Sequence, residues 1–415
     1  MSISNHGLAR AALVLLCLIV TVPMARAYDD LVVTPSILSS DALGAYTGTE
    51  RIVLGEIVDE IFAQNPARVG MGPQAEYAVD LAVSRVDYAK QSLAESFRRA
   101  GLLAGTPDPS AHVMDVRILR DRLHTHQTGG RFRLRTEVFL EVTFRKGETM
   151  EGRVLACGNA ETHAQVASEA KITQTFQIGF NDAVHKILNS RTLARLLGDG
   201  WSPAPAPEKW GDYDTTHIHR DEFYGPTDGI QSEIEKAMTS IAGAGPFTRL
   251  ALPDFQIADV AGKKDDEMHD MAAAQAVIPE KIREHLNAFF PGAFESIERG
   301  RPGPGSIVVG GRLDKFRVGS FTTRVLVGFG AGKDKLEGQI SINDAAGHAL
   351  AGFPILTSNW GAVQQMKQGQ IRDMIDQLAR DLAYFLVKTC RPGYKPPEDL
   401  EILFDGTPYP LPNKS

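Results

Sequence analysis

The sequence lacks the residue patterns that commit a chain to a common reaction. It contains no Gly-x-Ser-x-Gly nucleophile elbow and no His-Glu-x-x-His helix, the signatures of α/β-hydrolases and zinc peptidases. It also lacks excess positive charge, because 44 Lys and Arg stand against 51 Asp and Glu, for a net charge of -7. Nucleic-acid binding depends on neutralising phosphates with Lys and Arg, so the composition disfavours that function.

Long apolar runs are missing beyond the N-terminus. Arg10 precedes an apolar core at residues 11–22, and Ala25 and Ala27 are small residues at the positions that a signal peptidase recognises before its cleavage site. A membrane span needs about 20 apolar residues, and this run is shorter. We therefore predict a signal peptide at residues 1–27 and an exported protein, periplasmic or associated with the outer membrane. Cleavage removes two arginines and takes the net charge from -7 to about -9.

Cysteine is scarce, and the three positions leave alternatives open. Cys17 lies inside the apolar leader, where lipidation would tether the mature chain to a membrane. Leu16 is larger than the residue that normally precedes a lipidated cysteine, which favours a soluble envelope protein. Cys157 and Cys390 could pair in an oxidising compartment or remain two buried thiols, and their spacing does not decide between these outcomes.

The mature chain is longer than one ordinary hydrophobic core supports, which predicts two domains. Their boundary is a proline-spaced linker at residues 201–207, whose composition favours an extended path. We assign residues 28–200 to a first α+β domain, 201–245 to the linker and a short helix, 246–390 to a second α+β domain and 391–415 to a C-terminal tail.

Strict alternation of apolar and polar residues predicts a long strand in the first domain. One face carries Phe132, Leu134, Thr136, Val138, Leu140, Val142 and Phe144, and the other carries Arg131, Arg133, Arg135, Glu137, Glu141 and Arg145. This pattern is typical of a sheet with one buried and one solvated face. Further strands are predicted at 51–54, around Val116 and Ile118, and at 152–157 after a turn at 146–148.

Helical spacing predicts two helices in the same domain. One covers about 84–100 and ends at Gly101, because glycine accepts the left-handed conformation found at helix C-termini. The other presents one apolar stripe to the sheet. The members of that stripe are Phe176, Phe180, Ala183, Ile187 and Leu188.

The second domain repeats this order of elements. Strands are predicted at 249–252, 307–316 and 336–342, with a turn at 343–347. A helix started by Pro279 and stopped by Pro291 lies between the first two strands, and a closing helix runs through 371–385. The predicted fold class is therefore α+β. It consists of two related sandwiches from an internal duplication, each an antiparallel-rich sheet with helices packed on one face.

A glycine-rich hairpin tip in the second domain carries a family resemblance. The residues that carry it are Gly310-Gly311-Arg312-Leu313, Gly319-Ser320, Arg324-Val325-Leu326-Val327-Gly328-Phe329-Gly330-Ala331-Gly332-Lys333 and Asp344-Ala345-Ala346-Gly347. Over about residues 306–388 the chain resembles a bacterial domain family of unknown function, the four-four-one-zero type, whose members are exported proteins or outer-envelope lipoproteins. Asp334 departs from the family pattern, which usually has a small hydroxyl residue there. Residues 93–102 of the first domain resemble transport-auxiliary envelope lipoproteins and curli-secretion-type proteins. These resemblances imply a non-catalytic module that binds envelope partners or assembles.

A phosphate loop is an alternative interpretation of the same tip, and its spacing is wrong. That motif needs glycine five positions before the Gly-Lys pair and Ser or Thr after the lysine, whereas Val327 and Asp334 stand there. The tip also joins two strands, whereas a phosphate loop opens a helix. We therefore predict no cofactor. We interpret the tip as a partner-contact hairpin formed by Gly328, Phe329, Gly330, Gly332 and Lys333.

Histidine pairs come nearest to a metal site. His124 and His126 occupy alternate positions, as do His217 and His219, and alternate residues of a strand share a face. A closed zinc site needs four ligands and an open catalytic site needs three, and no further ligands are specified beside either pair. We predict no metal site.

Three arginines form a row on the predicted solvated face of the long strand. Arg131, Arg133 and Arg135 could contact acidic lipid headgroups or a partner protein. The alternative, which we favour, is charge balance with Glu137 and Glu141.

These features predict an exported envelope protein that acts as a non-catalytic binding or assembly module. Its partner is expected to be an envelope protein or another copy of itself, with peripheral membrane association and no transmembrane segment after signal cleavage. Two alternatives stay open. One is a periplasmic hydrolase with a site between the domains near His217 and His219, and the other is a carrier of a small apolar ligand between sheet and helices.

Overall fold

A computed structural model provides the structure of the chain. It describes residues 32–38, 43–61, 80–81, 83–104, 111–128, 131–164, 169–203, 231–258, 265–300, 302–317, 335–358 and 370–403. The fold is α+β with antiparallel-rich sheets, as predicted. We call residues 32–203 the first half and residues 231–390 the second half.

The strands and helices follow the chain in this order. The strands are β1 (Val32–Val33), β2 (Ala45–Tyr46), β3 (Ile52–Asp59), β4 (Asp80–Leu81), β5 (His112–Thr128), β6 (Arg131–Lys146), β7 (Thr149–Ala164), β8 (Trp201–Ser202), β9 (Arg249–Ala251), β10 (Gln256–Ile257), β11 (Ser296–Glu298), β12 (Ser306–Arg317), β13 (Lys335–Asp344), β14 (Ala349–Ser358) and β15 (Leu400–Leu403). The helices are α1 (Arg85–Arg99), α2 (Glu169–Leu188), α3 (Arg191–Leu197), α4 (Gln231–Ala244), α5 (Asp265–Phe289) and α6 (Gln370–Cys390).

The first sheet has the strand order β15-β7-β6-β5-β3. Strands β5, β6 and β7 form an antiparallel meander, whereas β3 is parallel to β5 and β15 is parallel to β7. The predicted turn after β6 is present, with Gly147 at a φ of 60°. Two short pairs, β1 with β4 and β2 with β8, lie outside this sheet.

Helices α1 and α2 pack on the apolar face of the first sheet. The Ser84 side chain caps α1 by accepting from the Asp87 N–H, and Gly101 follows the helix at a φ of 75°, as predicted. Phe176 and Phe180 of α2 are buried in the same core as the apolar face of β6. The first domain core is therefore the one that the sequence indicated.

The second sheet has the order β11-β9-β12-β13-β14, with β10 added beside β12. Strands β12, β13 and β14 are antiparallel, and the predicted turn after β13 has Gly347 at a φ of 88°. The two halves thus follow a similar order of elements, and their origin by duplication stays a prediction.

Helix α5 begins earlier than predicted. Pro279 lies inside the helix rather than at its start. Proline has no N–H and cannot complete an interior hydrogen bond, which is why the sequence favoured a helix start there. The preceding turns stay helical because Met271, Ala274 and Ile278 are buried in the core of the second half, so packing outweighs local preference.

The second face of the first sheet is covered at its centre. Glu137 and Glu141, predicted on a solvated face, are 3% and 5% exposed, and Phe139 between them is 0% exposed. Phe289 of α5 covers Phe139 edge to face, with ring centroids 4.6 Å apart. The prediction of a solvated face was wrong here. The alternation of residues shows that a face is polar, but it does not show whether the charged side chains on that face are exposed or are paired with other charges in the interior.

Helices α5 and α6 of the second half lie between the two sheets. Helix α5 meets the first sheet at Phe139, while Phe385 of α6 packs on Phe353 of β14 with ring centroids 5.5 Å apart. Leu119 and Leu155 of the first sheet belong to the same apolar cluster as the core of the second half. We call this shared region the junction.

Candidate functional site

A β-bulge directs two consecutive residues of β5 into the junction. Ile118 pairs with Leu140 and Arg120 pairs with Phe139, so Leu119 is an extra residue in β5. Ile118 belongs to the core of the first half, whereas Leu119 belongs to the junction. The bulge therefore places both Leu119 and Arg120 on the face that meets the second half.

Arg120 is the centre of a buried ion cluster that joins the two halves. Its side chain is 1% exposed. Its Nε donates to Glu137 Oε2 at 3.0 Å within the first sheet, and its Nη1 donates to Glu284 Oε1 of α5 at 2.5 Å. Nη1 and Nη2 also donate to the two carboxylate oxygens of Asp376 in α6, each at 3.1 Å. One guanidinium thus connects a strand of the first half to two helices of the second.

The electrostatics of the cluster favour a permanently charged arginine. Burial alone lowers the pKa of Arg120, but the adjacent Glu137 and Glu284 carboxylates outweigh burial and raise that pKa above its ordinary value. Lys281 forms a second ion pair with Glu284. Arg120 and the three carboxylates around it are therefore largely removed from water, where an unpaired charge is costly, while Lys281 stays partly exposed.

Aromatic rings cover the cluster on the side of α5. The Arg120 guanidinium lies 5.8 Å from the centroid of the Phe289 ring, within cation–π range. His285 stacks on the same ring at 5.3 Å, and its Nε2 lies 3.1 Å from Asp376 Oδ1. Phe289 thus contacts Phe139, Arg120 and His285 at once.

A second tier of ion pairs surrounds the cluster along β3 and β5. Arg85 Nε donates to Asp121 Oδ2 at 2.6 Å, and burial raises the pKa of Asp121 although Arg85 opposes that rise. Arg117 donates to Glu60 at 3.2 Å and to Glu141 at 3.1 Å. Each of these two arginines thus lies beside two carboxylates, since Arg85 is also 3.5 Å from Asp59.

Residues 391–403 connect the two halves a second time. Helix α6 ends at Cys390, and β15 then joins the first sheet beside β7. Arg153 of β7 donates from its Nε to Asp399 at 2.8 Å. Residues 391–403, which the sequence assigned to a tail, therefore include a strand of the first sheet.

Glu401 of β15 accepts hydrogen bonds at the start of α3. The backbone N–H groups of Arg191 and Thr192 donate to its two carboxylate oxygens at 2.9 and 2.8 Å. Burial raises the pKa of Glu401, but these hydrogen bonds outweigh it and lower the pKa below its ordinary value. The carboxylate is therefore held in its charged form.

The predicted contact residues fall largely outside the described part of the chain. The predicted contact hairpin belongs to a segment between β12 and β13 that is not described; its residues are Gly328, Phe329, Gly330, Gly332 and Lys333. The segment between the two halves that contains His217 and His219 is also not described. Strand β6 contains Arg131, Arg133 and Arg135, and strand β5 contains His124 and His126. The side chains of these five residues are not among those that the structure describes. These assignments remain predictions.

The structure does locate the acids and thiols that the sequence singled out. Glu137 pairs with Arg120, and Glu141 pairs with Arg117. Cys157 and Cys390 are free and buried, so they do not form a disulfide. Burial raises the pKa of both thiols, that of Cys390 to about 12. Within the described ranges no group of three or more His, Cys, Asp or Glu could hold a metal, and no helix is long and apolar enough to cross a membrane.

Sequence reasoning missed the junction, although one signal was available. Phe139 is a large apolar residue on a face whose other residues are polar, mostly arginine and glutamate. In addition, Leu119 and Arg120 interrupt the alternation of β5. An apolar residue among charged ones, next to a point where the alternation of the neighbouring strand breaks, indicates that the face is covered and that the neighbouring strand contains a bulge.

Comparison with known families identifies part of the second half. Residues 251–362 match the family model described as Domain of unknown function (DUF4410). This segment is therefore similar to members of that family. It extends from the end of β9 through β14 and includes α5, so it supplies Glu284 and Phe289 to the junction. No curated protein matches the chain.

Among solved structures, the chain is similar to protein XCC0632 from Xanthomonas campestris and to a PelC dodecamer from Paraburkholderia phytofirmans. The first comparison has 8% identity and a TM-score of 0.30, and covers 40% of this chain and 96% of that one. The second has 11% identity and a TM-score of 0.23, and covers 34% of this chain and 92% of that one. Scores at this level support no inference about function.

Proposed function

We propose that this protein is a non-catalytic binding or assembly module of the cell envelope. The observation that carries the proposal is the buried junction, in which Arg120 ties the first sheet to α5 and α6. Charged groups at the junction bind one another in the interior. Such an arrangement suits a protein whose two halves must keep one relative position while other surfaces bind.

The second sheet offers a supported position for a contact segment. Strands β12 and β13 stay paired as far as Arg317 and Lys335, and residues 318–334 connect them. This connection contains Phe329 and its neighbouring glycines, inside the segment that matches the domain of unknown function. We assign partner contact to it.

The leader sequence supports the envelope as the site of action. Residues 1–27 have the charge, the apolar core and the small residues of an export signal. An exported chain with an acidic balance meets partners of the envelope rather than nucleic acid. The partner is an envelope protein or a second copy of this chain.

The test is affinity capture of the tagged protein from chemically cross-linked cell envelopes, with identification of every co-purifying species. Deletion of residues 328–332 should abolish the complex while leaving the fold intact. Met150→Ala is the matched control, since it removes a large apolar side chain that is exposed elsewhere and should not affect capture. A deletion variant that still captures its partners at the normal ratio would remove the proposal.

The same experiment separates the enzyme alternative. Replacing both His217 and His219 with alanine should leave the captured complex unchanged, because a binding module does not use them. Loss of a substrate-processing activity in that variant, with an unchanged complex in the deletion variant, would favour a hydrolase instead.

A further inference from the structure

A row of alternating charges crosses the first sheet from one edge to the other. Arg117, Glu141 and Arg153 belong to β5, β6 and β7, while Glu60 follows β3 and Asp399 precedes β15. Opposite charges on neighbouring strands attract each other, and one arginine can bridge two carboxylates because its guanidinium carries five donors. These five side chains, which we call the charge row, therefore link all the strands of the sheet.

Each member of the charge row contacts the next. Arg117 donates to Glu60 at 3.2 Å and to Glu141 at 3.1 Å. Arg153 lies 3.9 Å from Glu141 and donates to Asp399 at 2.8 Å. Both arginines approach the same oxygen, Oε1 of Glu141, and Glu141 is 5% exposed. Glu141 is therefore the central member, because it supplies the negative charge that lies between the two arginines.

The two ends of the charge row lie where the second half is attached to this sheet. At the β3 edge, Nη2 of Arg283 in α5 donates to the Glu60 carbonyl oxygen at 3.4 Å. Nη1 of Arg283 lies 3.9 Å from Glu60 Oε2. At the β15 edge, Asp399 precedes the strand that follows α6. The charge row thus connects the attachment at one edge with the attachment at the other.

Water reaches the charge row but hardly reaches the cluster around Arg120. The side chains of Arg117, Arg283 and Asp399 are 40%, 31% and 41% exposed, whereas that of Arg120 is 1% exposed. Salt screens exposed charges over a Debye length that falls from about 10 Å at roughly 0.1 M to about 3 Å at roughly 1 M, and it screens buried pairs much less. Added salt should therefore weaken the charge row and leave the Arg120 cluster intact.

We propose that the charge row makes the attachment of both sheet edges depend on ionic strength. At low ionic strength it holds both edges of the first sheet to the second half. At high ionic strength both edges loosen, while the Arg120 cluster keeps the two halves in their relative position. One exposed ion pair contributes little, but the members of this row share partners, so weakening one contact also weakens its neighbours.

The test is hydrogen exchange of the purified full chain at about 0.05 M and about 1 M NaCl. Protection is expressed relative to the unfolded chain at the same salt concentration, which removes the effect of salt on the chemistry of exchange. Peptides covering residues 52–60 and 399–403 should lose protection several-fold at high salt. Peptides from α2 and β13 should keep theirs, because apolar packing holds those elements.

Glu141→Gln identifies the charge row as the cause, because it keeps the shape of the central side chain and removes its charge. In this variant both edges should exchange several-fold faster at low salt and should respond little to added salt. Asp115→Asn is the matched control, since Asp115 accepts from Arg145 Nε at 2.6 Å in the same sheet but outside the charge row. It should keep the full response to salt. Arg117→Gln, at a more exposed position, replaces Glu141→Gln if that variant does not fold.

The proposal is overturned if protection at the two edges is the same at both salt concentrations, or if Glu141→Gln and Arg117→Gln respond to salt as the wild type does. A response at one edge alone would also overturn it, as would an equal loss in β13, since salt would then act on the whole fold. These measurements use purified protein, so their outcome is independent of the envelope capture that tests the contact role of residues 328–332.

Discussion

Arg120 reaches Asp376 with both terminal nitrogens at 3.1 Å, although the two residues are 256 positions apart in the sequence. Arg120 belongs to a strand of the first half, and Asp376 belongs to the closing helix of the second. Because a buried guanidinium and its carboxylates must remain together, this contact specifies how the halves meet.

Removing the Arg120 charge should destabilise the protein strongly. Arg120→Met keeps most of the side-chain volume but leaves Glu137, Glu284 and Asp376 without their shared cation, which should cost about 3–5 kcal/mol. The measurement is the denaturant midpoint at neutral pH. Arg98→Met is the control, since Arg98 pairs with Glu95 on the exposed face of α1 and its loss should leave the midpoint unchanged. Equal midpoints for the two variants would contradict the central role of Arg120.

Close packing of α2 on β7 should make Gly158 intolerant of a side chain. A Cβ at Gly158 would lie 2.0 Å from the Gly179 carbonyl oxygen and 2.5 Å from the Ala183 nitrogen, both backbone atoms. Gly158→Ala should therefore cost about 1–3 kcal/mol of stability. Gly243 of α4 has open space at the same position, so Gly243→Ala should stabilise the helix by about 0.5–1 kcal/mol. Thermal unfolding of both variants gives the comparison, and a neutral Gly158→Ala would show that α2 is not in close contact.

The two buried thiols should be unreactive in the native protein. Burial raises the pKa of Cys157 and raises that of Cys390 to about 12, so neither is a thiolate at pH 8. In a Cys17→Ser background, a thiol reagent should label no cysteine until denaturant is added, and should then label both. A mass lower by two hydrogens with no labelling after unfolding would instead reveal a disulfide between them.

The attachment of β15 should weaken in acid. Hydrogen bonds from Arg153 lower the pKa of Asp399, and the backbone N–H groups at the start of α3 lower that of Glu401 despite burial. Because its pKa is lowered in the folded state, each carboxylate stabilises the fold at pH values above its ordinary pKa, which is 3.8 for Asp399 and 4.5 for Glu401. This contribution is lost as the pH falls through the pKa of the folded state.

The measurement for β15 compares wild type with the Asp399→Asn, Glu401→Gln double variant across pH. The difference in unfolding free energy should be largest at neutral pH and should shrink towards zero in acid. A difference that stays constant over the whole range would show that the two carboxylates do not hold β15 through their charge.

Local elements of this fold were readable from the sequence. Gly101, Gly147 and Gly347 marked the end of a helix and two strand turns, because each occupies a positive φ that other residues rarely adopt. Alternation located β6 and β13, and helical spacing located α1, α2 and α6. These features depend on neighbours along the chain, which a sequence displays directly.

The junction was not readable, because it depends on contacts between distant segments. The bulge at Leu119 changes which face Arg120 occupies, and nothing local states that Glu284 and Asp376 will meet it. The pairing of β15 with β7 joins residues 400–403 to the first half, and a short strand of four residues carries little periodicity. Pro279 misled the prediction of α5 for the same reason, since burial of the preceding residues overrode the local preference.

The most direct test of a fixed junction is whether the halves unfold together. Hydrogen exchange with mass analysis, over a denaturant series, follows peptides from β6 in the first half and from β12 and β13 in the second. The account predicts that both sets lose protection at the same denaturant concentration in wild type, and that Arg120→Met separates them. Two separate transitions in wild type would contradict it, because the halves would then be independent domains joined only by the linker.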